Sequence, residues 1–210
     1  MSIENNTTEL QKILQAVNEL PEAGSGGGSN VDLVALIERD VTEFKIPGDA
    51  TVIGPYAFMS WGSLKSIVFH DDITQIGNYA FQSCSNLNFD ALPAKLKGIG
   101  TMAFYYNTSI ALTSLPGELQ HIGYASFRGC SALKITTIPA SVTLVHQMAF
   151  QECTGLTEIT FEGTPSDIYA NSFNGCTNLL TINVPWAEGA VANAPWGATN
   201  ATINYNYTGA

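Results

Sequence analysis

The residue types that carry most metal, nucleophilic and proton-transfer chemistry are sparse in this 210-residue chain: four cysteines (Cys84, Cys130, Cys153, Cys176), three histidines (His70, His121, His146) and one adjacent acidic pair, Asp71-Asp72. The cysteines are separated by one or two intervals of 23 residues. That spacing belongs to a repeat, not to the close ligand pairs of a zinc site. The expectation is a buried ladder of small, weakly polar side chains with free thiols. Trp61 and Asn107 stand in the same column without a thiol, so a disulfide is not what the position requires. His70 replaces a strand-ending Pro, His146 replaces a turn Gly, and His121 precedes Ile122, so no ligand spacing forms. Asp71-Asp72 lies where a strand turns and reads as solvated. No phosphate-cradling glycine loop, dinucleotide fingerprint or nucleophile elbow occurs. The expectation is therefore no enzyme activity, no catalytic residues, no metal and no cofactor.

Recognition chemistry has more to work with. Met59, Tyr105, Tyr106 and Arg128 stand where other repeats carry Gln82, Ser83, Gly129 or Asn174. Exposed tyrosines with an arginine one repeat away can stack and hydrogen-bond as a patch. A second set, Asp90, Thr113, Ser114, Thr136, Thr137, Glu158 and Thr160, is expected to be exposed along a strand face. Both sets are candidate ligand contacts.

What positions them is a ruler. Phe58, Phe81, Phe104, Phe127, Phe150 and Phe173 recur every 23 residues. A fixed period of this length signals stacked coils in a solenoid. Small residues precede each Phe (Ala57, Ala80, Ala103, Ser126, Ala149, Ser172). An Ile or Val lies five places before it (Ile53, Ile76, Ile99, Ile122, Val145, Ile168), followed in four coils by Gly54, Gly77, Gly100 or Gly123. Glycine there suits a turn with unusual backbone angles. Six places after the Phe stand Leu64, Leu87, Ile110, Leu133, Leu156 and Leu179; eleven after stand Phe69, Leu92, Leu115, Ile138, Phe161 and Val184. The Leu-to-Pro segment reads as a strand ended by Pro, the Ile-Gly segment as a second short strand, and Ala-Phe-x-x-Cys as a single helical or 3₁₀ turn. With strands stacked about 4.8 Å apart, six coils give a strand face roughly 25 Å long.

In coils one, five and six the strand keeps Leu-x-x-Ile-x-Phe or its Val variant. In the middle three the inner residue moves one place earlier, to Phe89, Leu112 and Ile135. Asp90-Ala91, Thr113-Ser114 and Thr136-Thr137 then both face outward, which predicts a small bulge.

The chain divides into five parts. Residues 1–23 read as an amphipathic helix (Leu10, Ile13, Val17, Leu20) for attachment or for homo-oligomerisation through residues 3–20. Residues 24–29 form a Gly/Ser linker. Residues 30–47 give an N-terminal cap, with a short helix started by Asn30 and a half-coil at Val41, Phe44 and Ile46. Residues 48–185 hold six repeats. Residues 186–210 form a degenerate seventh coil, with Trp196 at the position of the next Phe, and a C-terminal cap.

Net charge is −10, unevenly spread: residues 1–49 hold nine acids and three bases, the rest nine and five. Without a basic patch, nucleic acid and anionic membranes are disfavoured partners. No segment reaches membrane-spanning length. No signal peptide is read at the N-terminus. The expected location is virion-associated, or cytoplasmic until lysis, or the cell surface if a leader was removed.

The run Leu64-Lys65-Ser66-Ile67-Val68-Phe69, continued by Ile73-Thr74-Gln75-Ile76-Gly77-Asn78-Tyr79-Ala80-Phe81-Gln82-Ser83-Cys84-Ser85-Asn86-Leu87, closely resembles the BspA-type bacterial leucine-rich repeat, over about residues 41–184. The resemblance implies a leucine-rich-repeat solenoid of β-rich, right-handed stacked coils, with roles in adhesion and ligand binding at cell surfaces. The variant Ile110-Ala111-Leu112-Thr113-Ser114-Leu115-Pro116 also resembles repeats carried by phage and prophage tail proteins of gut Firmicutes. The segments 194–203 and 10–21 are similar to the ends of those proteins. These resemblances imply a tail-associated module that binds a bacterial surface protein or polysaccharide. A bacterial surface adhesin module and an intracellular scaffold remain the alternatives.

Overall fold

The computed structural model describes residues 41–209. The helix expected over residues 1–23, the linker at 24–29 and the short capping helix started by Asn30 lie outside the described residues. Twelve short strands occur among those described, and no helix: β1 (Glu43–Lys45), β2 (Val52–Ile53), β3 (Ser66–Val68), β4 (Gln75–Ile76), β5 (Gly98–Ile99), β6 (His121–Ile122), β7 (Thr137–Ile138), β8 (Leu144–Val145), β9 (Glu158–Phe161), β10 (Asp167–Ile168), β11 (Thr181–Asn183) and β12 (Thr202–Asn204). All pairing is parallel, and nearly all of it joins residues 23 apart, as in Ile53↔Ile76 and Ile99↔Ile122. The chain is a parallel β-solenoid with one coil per period.

The Ile/Val column forms an unbroken six-stranded sheet, β2-β4-β5-β6-β8-β10. Beside it the six phenylalanines stack ring on ring, with centroids 4.9–5.6 Å apart and planes within 13° of parallel. Such contacts add to the burial of large apolar area. Five of the six rings are wholly buried, and Phe58 at the first coil is nearly so.

The segment around each Phe is not the helical turn that its i, i+3 spacing suggests. It is a run of linked turns closed by i→i+3 bonds, such as Met59 N–H to Tyr56 O and Trp61 N–H to Phe58 O. Residues two before and two after the Phe adopt left-handed backbone: Tyr56, Tyr79, Met102, Ala125 and Met148 on one side, Ser60, Ser83, Tyr106, Gly129, Glu152 and Gly175 on the other. This alternation turns the N–H groups of Tyr56, Phe58 and Ser60 toward the carbonyls of Asn78, Ala80 and Gln82 in the next coil. A helix would have spent those donors internally. The turn side is thus a hydrogen-bonded ladder of its own, and that ladder offsets the 1–2 kcal/mol that each left-handed non-glycine residue costs.

Gly77 and Gly123 are required for a different reason from the one the sequence suggests. Neither has positive φ. A Cβ on Gly77 would lie 2.6 Å from the Pro55 nitrogen, and one on Gly123 2.6 Å from the Ile99 carbonyl oxygen. Close approach of neighbouring coils excludes a side chain there.

The cysteine column is a second ladder. The thiols of Cys84, Cys130, Cys153 and Cys176 are free, and each donates to the Phe carbonyl of the preceding coil (Phe58, Phe104, Phe127, Phe150) at 2.9–3.1 Å. Asn107 donates to Phe81 O in the same way, at 2.7 Å. The column requires a buried donor rather than a thiol as such. Burial pushes the thiols of Cys84, Cys130 and Cys176 up to about 12.

The opposite strand side is discontinuous. A two-stranded sheet β1-β3 lies at one end and a four-stranded sheet β7-β9-β11-β12 at the other. In place of the bulge expected in coils two to four, the ladder breaks. Coil two contributes only an isolated bridge, Ser66↔Asn88, and coil three no strand. The Asn88 side chain bridges the gap, its Oδ1 accepting from Ala111 N–H at 3.1 Å.

The C-terminal coil is shorter. Phe173 N–H donates to Trp196 O, one residue further along than the Phe58-to-Ala80 pattern, and β12 joins β11 at an offset of 21. The Trp196 ring still fills the core end, wholly buried, against Phe161 and Trp186.

Candidate functional site

A lattice this regular isolates the side chains that depart from it. On the turn side, coils three to five carry Tyr105, Tyr106, Arg128 and Glu152 in two adjacent columns, one and two places after the Phe. The left-handed backbone at Tyr106 and Glu152 aims both side chains along the solenoid axis toward each other. The Tyr106 hydroxyl donates to Glu152 Oε2 at 3.0 Å, across 46 residues of sequence. Between them lies Gly129 (φ +75°), where a Cβ would come within 2.7 Å of Tyr106 Cδ1 and 2.9 Å of Cε1. The phenol therefore lies across coil four because that coil has no side chain at this position.

Arg128 completes the group. Its Nη2 donates to Glu152 Oε1 at 3.0 Å, and its guanidinium carbon sits 5.7 Å from the Tyr105 ring centroid. The Tyr105 and Tyr106 rings meet edge to face at 4.6 Å, 82° apart. Bonding to the Glu152 carboxylate, together with its negative charge, raises the Tyr106 phenol above its ordinary range, so it remains a neutral donor at physiological pH. Tyr106 keeps 39% of its surface exposed despite these contacts. Further along, Arg128 Nη1 and the Tyr124 hydroxyl both approach Met148 Sδ, and His146 stacks on Tyr169 at 4.6 Å.

Of the residues proposed from sequence, Tyr105, Tyr106 and Arg128 converge, while Met59 stands two coils away, half-buried. Sequence reasoning missed Glu152, although it occupies the column of Tyr106 two periods on. On the strand side, Asp90, Thr113, Ser114 and Thr136 are exposed, and Thr137 is half-buried at the start of β7. Glu158 and Thr160 are already engaged: the Asn183 amide donates to both, at 2.7 and 3.0 Å, and Asn204 donates to Asn183 at 2.8 Å. At the ladder break lies a shallow groove of about 560 Å³ whose lining includes Lys65, Val68, Asp71, Asn88 and Asp90. Among the described residues no group of three His, Cys, Asp or Glu is placed to hold a metal, and no helix is long and apolar enough to cross a membrane.

The repeat lattice matches the model of the BspA type leucine-rich repeat region in six copies, over residues 36–155 and 103–188. The chain belongs to that family. Its solenoid is generally an interaction scaffold rather than an enzyme fold. Among solved structures, a T. pallidum leucine-rich repeat protein is similar at 26% identity and TM-score 0.62, covering 68% of this chain and 72% of that one. A leucine-rich repeat protein from Bacteroides ovatus is similar at 29% identity and TM-score 0.58, covering 67% of this chain but 39% of that one. A leucine-rich cell surface protein from Faecalibacterium prausnitzii shares the fold at 22% identity and TM-score 0.57, over 80% of this chain and 55% of that one. A comparison with curated proteins returned no match.

Proposed function

We propose that this chain is a non-enzymatic adhesion module that recognises a bacterial surface, and that it serves on a phage or prophage tail. The observation that carries the reading is the convergence of exposed Tyr106 with half-buried Tyr105, Arg128 and Glu152 in one patch of an otherwise repetitive surface. Other coils fill these columns with Met59, Gln82, Gln151 and Asn174 or with Ser60, Ser83 and Gly175, so the lattice does not demand two tyrosines and an arginine there. Tyrosine and arginine are the residues that dominate recognition energetics. The tail context rests on the resemblance of the 110–116 repeat and of the chain's ends to tail proteins, and neighbouring tail, baseplate or holin genes are its test.

The direct experiment is a pull-down of the protein on intact Firmicutes cells and on their purified wall polysaccharide. The expected result is capture by the wild type and its loss in the Tyr105→Ala/Tyr106→Ala variant, with little change in Tm because both side chains lie outside the Phe stack. Unchanged capture by the variant removes the patch from the reading.

A further inference from the structure

The geometry points to a saccharide subsite at this patch, with Tyr106 as its floor; the inference rests on the surface-binding reading and names the ligand class as a neutral hexopyranose unit of a glycan. Three observations carry it. First, Tyr106 lies across Gly129 and is tied at its hydroxyl end to Glu152, with part of its surface left open to solvent. A ring fixed at both ends loses no rotamer freedom on stacking against the apolar C–H face of a sugar. Second, Tyr105 stands at 82° to it, so the two rings make a floor and a wall. Third, the polar edge is mixed. Glu152 accepts one bond at each oxygen and has lone pairs to spare. The Arg128 side chain is partly exposed, and Nη1 and Nη2 each carry a second N–H beyond those directed at Met148 Sδ and Glu152 Oε1. A hydroxyl group, donor and acceptor at once, matches a carboxylate beside a guanidinium better than any group with a single polarity.

Charge narrows the class. Arg128 and Glu152 neutralise one another, and residues 50–210 hold nine acids against five bases. Polyanionic glycans meet a repulsive field here, and a cationic ligand finds its carboxylate already paired. A neutral sugar is opposed by neither.

The test is a titration followed by NMR of the Tyr106 ring and the Gly129 amide. The probes are the β-1,4-linked trimer of N-acetylglucosamine, maltotriose, and a trimer of galacturonic acid as the anionic comparison. Saturable shifts at millimolar concentration are expected with at least one neutral trimer and none with the anionic one. Tyr106→Ala should weaken binding about tenfold or more. Gly129→Ser is the sharper variant. Ser60 and Ser83 occupy the same left-handed position in other coils, so the lattice accepts serine there. Its Cβ must displace the Tyr106 ring, and the expected result is the same tenfold loss with an unchanged circular dichroism spectrum. Silence from both neutral trimers, or full binding by Gly129→Ser, overturns the subsite. If cells are still captured while the sugars are silent, the surface reading stands and the neutral-sugar subsite falls. If the sugars titrate while no cell or wall preparation is captured, the subsite stands and the surface reading falls.

Discussion

The two long sides of the coil obey different rules. On the turn side coils two to six repeat the same connections: stacked Phe rings, N–H groups donated to the next coil, and a buried donor returned to the preceding Phe carbonyl. On the strand side the ladder runs for one coil step, lapses through coils two and three, and resumes. The difference follows from where bonds can be replaced. A strand-side N–H faces solvent and accepts a side-chain substitute such as Asn88 Oδ1. A turn-side carbonyl wrapped around the Phe ring is sealed from water, where an unmatched group costs 1–3 kcal/mol. Regularity marks the places where water cannot help.

The contrast can be broken most severely in the Phe stack. Phe104→Ala, at the middle of the column, removes a wholly buried ring between two stacked neighbours and should cost about 3–5 kcal/mol, read as a large fall in the denaturant midpoint. If the loss is under ~1 kcal/mol, the turn side is not the stabilising side. The cysteine column sharpens the same point through pH. An unfolded thiol titrates near 9, whereas those of Cys84, Cys130 and Cys176 are held up to about 12 by burial. The folded state binds these protons more tightly. Their contribution is therefore complete below pH 9 and is lost as pH rises from about 9 toward 12. Stability measured across that range should decline, and Cys130→Ser, which keeps a donor with no titration there, should flatten the decline without abolishing folding. An equally steep decline in that variant excludes Cys130 as a source. The smallest effect is expected on the strand side: Asn88→Ala removes one solvent-accessible hydrogen bond and should cost no more than about 1 kcal/mol. A loss comparable to Phe104→Ala would erase the distinction between the two sides.

The columns could be read from the sequence because each coil repeats one environment, and a buried position that recurs six times leaves a residue type behind. Three readings diverged, each for a physical reason. The i, i+3 spacing of Ala-Phe-x-x-Cys is shared by a 3₁₀ turn and by linked turns with left-handed residues. Composition did not separate them, because Tyr56, Ala125 and Met148 hold left-handed angles without glycine. Gly77 carried the right residue type with the wrong reason, close approach rather than torsion. The displaced Phe89 and Leu112 signalled an irregularity correctly, but whether a displaced residue bulges or breaks a ladder depends on what else can accept the bond, here Asn88. At the candidate site, Tyr105, Tyr106 and Arg128 were visible as departures from their columns. Glu152 was not, because a glutamate in a solvated turn column looks ordinary until the Tyr106 phenol is seen to span the coil between them.

That span has a consequence for how such a chain can change. The turn-side joints among coils two to five use the same bonds, so duplication or excision of a 23-residue unit within them leaves those core joints intact. The bond from Tyr106 to Glu152 does not share this freedom: it crosses 46 residues and requires the bare Gly129 between. Recombination inside that interval would preserve the rod and erase the patch. The heritable unit of recognition in this chain is therefore not the repeat but a cassette of consecutive coils, which must be copied, moved or lost as a block.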